Sequence, residues 1–117
     1  NSMNYLNVYC SKIRQQQKKE LIEHLSYYKE KDNTVSHILC GDLNDDFNSN
    51  EHHNFVKDLP FENVIGNYHK MVSFPKYEQQ LDYIIVGRPV KGGKFWKASG
   101  TKDKLSDHDI LLMGCQL

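Results

Sequence analysis

Val35-Ser36-His37-Ile38-Leu39-Cys40-Gly41-Asp42-Leu43-Asn44 is the stretch whose reading decides the fold. Val35 to Cys40 has a nearly continuous apolar end and reads as a strand. Gly41 and Asp42 then stand at its carboxyl end, where ligands bind in open α/β sheets. Upstream, Tyr5 to Cys10 (YLNVYC) is rich in Tyr, Val and Leu and reads as a first short strand. Between the two, Ile13, Gln17, Leu21, Leu25 and Tyr28 recur at helical spacing. That periodicity predicts a helix over about 12–31, with Ser11 as N-cap and an Asp32-Asn33 turn to end it. Strand, helix and strand with short links make a βαβ unit, whose strands are parallel neighbours.

Downstream, 46–58 reads as a loop turning into a short helix with Phe55 and Val56 facing inward. The connection from Pro60 to Phe74 carries no clear pattern. Leu81 to Gly87 (LDYIIVG) is a third strand, and Asp109 to Gln116 (DILLMGCQ) a last one. Arg88 to Lys104 between them is a basic loop, or a hairpin, containing Gly92-Gly93 and Phe95-Trp96. The expected class is α/β, a mixed β-sheet flanked by helices. If the last two strands run antiparallel to the first two, their starts meet the others' ends. Asp42, Asn44, Asp82, Asp107 and His108 then share one rim of the sheet.

The 117 residues suit one domain with a modest core. Fifteen basic and fifteen acidic residues give a formal net charge of zero, which excludes a globally basic nucleic-acid binder. The charge is locally uneven. Asp42, Asp45, Asp46, Glu51, Asp58 and Glu62 face only Lys57 over 42–62, whereas Arg88, Lys91, Lys94, Lys97, Lys102 and Lys104 face only Asp103 over 88–104. An acidic patch can hold a cation, and a basic one attracts an anion. No apolar run approaches the roughly 20 residues of a membrane span, and no membrane partner is expected. The N-terminus lacks a signal-peptide pattern. Cys10, Cys40 and Cys115 lie in or beside apolar runs and match neither a disulfide framework nor a zinc motif. They read as buried thiols of a reducing compartment, cytoplasmic or, in a eukaryote, nuclear. His52 and His53, adjacent on a polar segment, read as solvent-facing.

Cys40-Gly41-Asp42-Leu43-Asn44, Leu81-Asp82-Tyr83-Ile84 and Ser106-Asp107-His108-Asp109-Ile110-Leu111 come in an order that resembles the endonuclease/exonuclease/phosphatase superfamily of Mg²⁺-dependent phosphoesterases. The resemblance covers nearly the whole chain, 1–117, but only the C-terminal half of the family's domain. It implies half of a four-layer α/β/β/α sandwich. It also implies that Asp42 orients and helps deprotonate the attacking water, while Asn44 holds that water and a phosphate oxygen. Asp107 would lie in the metal shell, and His108 would contact the scissile phosphate. Asp82 would pair with His108 and favour its charged form. The chemistry agrees, since an anionic phosphodiester needs a cation and a held water. A sparse carboxylate set suits Mg²⁺, with Mn²⁺ as an alternative.

The family's catalytic centre also draws an Asn and a metal-binding Glu from its N-terminal half, which has no counterpart here. Tyr9, after the first strand, would fill a role that a His or Tyr holds in the family. The resemblance thus implies Mg²⁺-dependent phosphodiester hydrolysis, with DNA or RNA as the favoured substrate. It also implies a partner, either a second copy or a complementing chain, over the sheet face that half a sandwich leaves bare. The alternatives are a catalytically incomplete binding or assembly module, or an inositol or lipid phosphate phosphatase branch.

Overall fold

Ser2–Lys31 form one α-helix, α1, in the computed structural model, which describes residues 2–34, 36–61, 64, 66, 69–87 and 91–116. The expected strand at Tyr5–Cys10 is therefore corrected: those residues are helical. A strand there would need a neighbour for its N–H and C=O groups, whereas a helix closes them within itself. Ser11 is accordingly not an N-cap but a mid-helix residue, its hydroxyl 3.4 Å from Glu51 Oε2. The far end is as expected. Lys29 and Lys31 lie in the last turn, favourable to the helix dipole. The Thr34 N–H and hydroxyl then donate to the Asp32 carboxylate at 2.9 and 2.6 Å.

The first strand, β1, is Ile38–Asp42, and it pairs antiparallel with β2, Asp82–Val86. A parallel βαβ unit is thus overturned, because its first strand has become helix. Asn50–Asp58 form α2, capped by Ser49, whose Oγ accepts the His52 N–H at 3.1 Å. Lys91–Ala98 (β3) and Ile110–Gln116 (β4) make a second antiparallel pair. Among the described residues the strands form two two-stranded sheets and not one mixed sheet. The class is mixed α/β. The basic stretch that reads as a loop or a hairpin is β3 followed by a 3₁₀ turn at Lys102–Lys104, and Arg88 lies outside the described residues.

Phe55, Leu59, Tyr83 and Ile85 are the buried centre, flanked by Leu21, Ile22 and Leu25 of α1 and by Leu39 of β1. Phe55 thus faces inward as expected, with Val56 half-buried beside it. On α1, Val8, Tyr9 and Ile13 are by contrast exposed. A 30-residue helix is about 45 Å long, which matches the molecule's longest dimension of 46 Å. Two further corrections concern burial. All three cysteines are free and exposed. His52 is buried and stacks on Tyr83 with ring centroids 4.1 Å apart, while His53 is exposed as expected. No helix among the described residues is long and apolar enough to cross a membrane.

Candidate active site

The β1–β2 ladder ends on the pair Asp42↔Asp82, so two carboxylates stand directly opposite at one edge. Like charges in that register repel. His108 relieves them. Its Nδ1 is 2.7 Å from Asp82 Oδ2, and its Nε2 is 3.8 Å from Asp42 Oδ2. Ligand atoms of Asp42, Asp82 and His108 all lie within 4.8 Å of one another. Asp107 Oδ1 is 4.0 Å from the same Nε2, on a side chain 78% exposed. The hydrogen bond to Asp82 raises the His108 pKa, burial opposes it, and the charges of Asp82, Asp42 and Asp107 raise it further. His108 is therefore biased towards an imidazolium that donates through Nδ1, leaving Nε2–H without a close acceptor.

Asn44 closes a turn beside these groups. Its backbone N–H donates to Asp42 Oδ1 at 2.9 Å, an Asx turn, with Asn44 in the left-handed region at φ 56°. Gly41, at φ 150°, leads into that turn with a conformation that side chains disfavour. Asp42 therefore spends one oxygen on the turn and turns the other towards His108. Tyr9 is not gathered with these residues. It lies exposed on α1, and none of the described hydrogen bonds includes it.

The supporting groups were not evident from the sequence. Ser73, 1% exposed, accepts the Leu81 and Asp82 N–H groups on its hydroxyl at 3.0 and 3.1 Å, and the Asp109 N–H on its carbonyl at 2.7 Å. Asp109 Oδ1 accepts the Gly100 and Thr101 N–H groups at 3.1 and 3.4 Å and the Thr101 hydroxyl at 3.2 Å. A Cβ on Gly100 would stand 2.2 Å from the His108 carbonyl oxygen, so only glycine lets that loop close. Phe74 packs its ring 5.0 Å from the His108 ring. Gln80 is fully buried: its Oε1 accepts the Met71 N–H and its Nε2 donates to the Asp82 carbonyl.

Behind the rim lies a second charged cluster. Lys18 of α1 bonds Asp45 and, at 3.0 Å, Glu51; Arg14 reaches Glu51 at 3.2 Å. Burial pushes the Asp45 carboxyl up, but the hydrogen bond and charge of Lys18, with His52 Nδ1 3.7 Å away, outweigh it and hold it below its usual range. The Tyr83 hydroxyl lies 2.7 Å from the Asp45 carbonyl oxygen and 2.6 Å from that of Gln80. Burial and the surrounding carboxylates raise its pKa, so it stays a neutral phenol. No family profile, curated protein or solved structure matches this chain.

Proposed function

We propose that this chain is the C-terminal half of an endonuclease/exonuclease/phosphatase-type domain, and that its rim is the water-and-phosphate side of a Mg²⁺-dependent phosphodiesterase. The observation that carries the reading is the meeting of three segments far apart in sequence. Asp42, Asp82 and His108 come together with Asp82 bonded to the His108 ring, the pairing that such a centre needs. His108 would donate Nε2–H to a non-bridging phosphate oxygen and offset charge that grows there. Asp42 Oδ2 would accept a proton from the attacking water, and Asn44 would hold that water and the phosphate.

The residues present fit Mg²⁺ as part of a shell. Asp107 offers an exposed carboxylate at the rim, and Mg²⁺ takes one or two carboxylates and keeps several waters. Bound there, the ion would neutralise phosphate charge. Its principal ligand would come from the missing half.

The finer architecture, one half of a four-layer sandwich, belongs to this reading. Its support is the apolar surface left bare: Ile38, Trp96, Ile110 and Leu112 are each about half exposed. A second copy or a complementing chain would cover it. A monodisperse monomer in light scattering would count against that partner. Nucleic acid is the favoured substrate because Lys94, Lys97, Lys102 and Lys104 are exposed and Lys94 lies over the Trp96 ring, 5.9 Å from its centroid. Tyr9 lends that choice no support from α1. Three exposed, unpaired thiols suit a reducing, cytoplasmic or nuclear setting.

The test is hydrolysis of matched DNA, RNA and inositol phosphates with Mg²⁺ by the assembled protein, beside His108→Ala. Turnover that falls about 10²–10³-fold in the variant supports the reading. No turnover on any substrate, with no Mg²⁺ or Mn²⁺ affinity in calorimetry, refutes it and leaves a binding or assembly module.

A further inference from the structure

The Asp82–His108 pair joins two strands that belong to different sheets. Asp82 opens β2, and His108 lies two residues before β4. No ladder between these strands sets the distance between their ends. One buried residue touches both. The Ser73 hydroxyl accepts two consecutive N–H groups, those of Leu81 and Asp82, and its carbonyl accepts the N–H of Asp109, next to His108. Its own N–H donates to the Gln79 carbonyl at 3.0 Å, which anchors Ser73 to the turn before β2. The next residue, Phe74, packs against the His108 ring from the same short segment.

We propose that Ser73 is a positioning residue: its side chain fixes the start of β2, its main chain fixes the start of β4, and together they hold Asp82 against His108. This rests on reading the rim as the reactive site. A hydroxyl is suited to the task. It can accept two N–H bonds in a dry space where an alanine methyl accepts none. Without it, two buried donors seek other partners and the first residues of β2 shift. Reactive groups lose rate steeply when displaced by an ångström, so a small shift at Asp82 is felt at the His108 ring.

NMR of the full chain tests this apart from any catalysis. In the wild type the His108 Nδ1 proton should resonate in slow exchange with water, and the Leu81 and Asp82 amides should be protected. Ser73→Ala should lose the ring-proton signal and exchange those two amides at least about 10-fold faster, with the α2 amides unchanged. Ser73→Thr, which keeps the hydroxyl, should retain both signatures. In the turnover assay Ser73→Ala should lower kcat about 10²-fold with little change in KM. The inference is overturned if Ser73→Ala keeps the ring proton and the slow amides, or if Ser73→Thr loses them equally. Should Ser73→Ala not fold, the wild-type amides and Ser73→Thr decide: fast exchange at Leu81 and Asp82 overturns it, and slow exchange retained in Ser73→Thr supports it. A wild type without turnover sinks the proposed function, while the NMR signatures still decide the role of Ser73. Normal turnover with unaltered NMR in Ser73→Ala sinks this inference alone.

Discussion

Among the described residues, the aspartate–histidine contacts Asp45–His52 and Asp82–His108 are built for opposite purposes. Asp45 and His52 are buried, with side chains 2% and 5% exposed, and stand 3.7 Å apart. Asp82 and His108 are each about one quarter exposed and sit at hydrogen-bond distance, 2.7 Å. The buried pair is completed by Lys18, which supplies the positive charge that a dry carboxylate needs. The rim pair has no lysine among its described ion pairs, and its histidine is the cation among three carboxylates. Charge compensation from within makes the first pair a fastener between α1 and the turn after β1. Its absence leaves the second with an excess of negative charge facing water, which only a cation would offset.

Three substitutions probe that contrast. The largest effect is expected from Lys18→Met. It strands the buried Asp45 carboxylate and should cost about 3–5 kcal/mol in urea unfolding. A loss below about 1 kcal/mol would mean that the cluster is not a fastener. Asp82→Asn comes next. It removes the charged acceptor from His108 and should cost about 1–2 kcal/mol near neutral pH. The sign of its pH dependence follows from the raised pKa of His108. The wild-type contribution is fully present below the unfolded histidine value, about 6.5, and fades as pH rises through the higher folded value. The two proteins should therefore differ in stability at about pH 6 and converge at about pH 9. A gap that persists in alkali would show that the bond does not depend on the imidazolium. The smallest effect on folding is expected from Asp107→Asn, within about 0.5 kcal/mol, because that side chain is mostly in water. A larger loss would give Asp107 a structural duty and weaken its proposed role as a metal ligand.

The parts legible from sequence were those where pattern and environment agree. Tyr83 and Ile85 alternate with half-buried neighbours along β2, so LDYIIVG read as a strand from its composition. Phe55 pointed inward on a short helix whose polar residues left it no other face. The convergence of Asp42, Asp82 and His108 followed from strand ends meeting at one edge: β1 lies antiparallel to β2, as that reading required, and the rim survived the loss of the expected first strand. Tyr5–Cys10 misled because β-propensity expresses fit to a sheet, and this segment has none beside it. His52 and His53 look equivalent in sequence, but the buried one is chosen by a ring partner, Tyr83, 31 positions away. Ser73 carried no local signal, since its three acceptor bonds serve Leu81, Asp82 and Asp109, residues that only the folded chain brings near. The cysteines failed for a related reason: Cys40 lies on a strand face that the described chain leaves bare.

Gly100 carries a consequence for how this sequence can vary. A single methyl group there would occupy the space of the His108 carbonyl oxygen. The position is silent in chemistry, bonding no ligand and bearing no charge, yet it admits one amino acid. Lineages descending from this sequence could exchange exposed lysines and keep the rim. A substitution at Gly100 would first have to be preceded by a new path for the 99–109 loop.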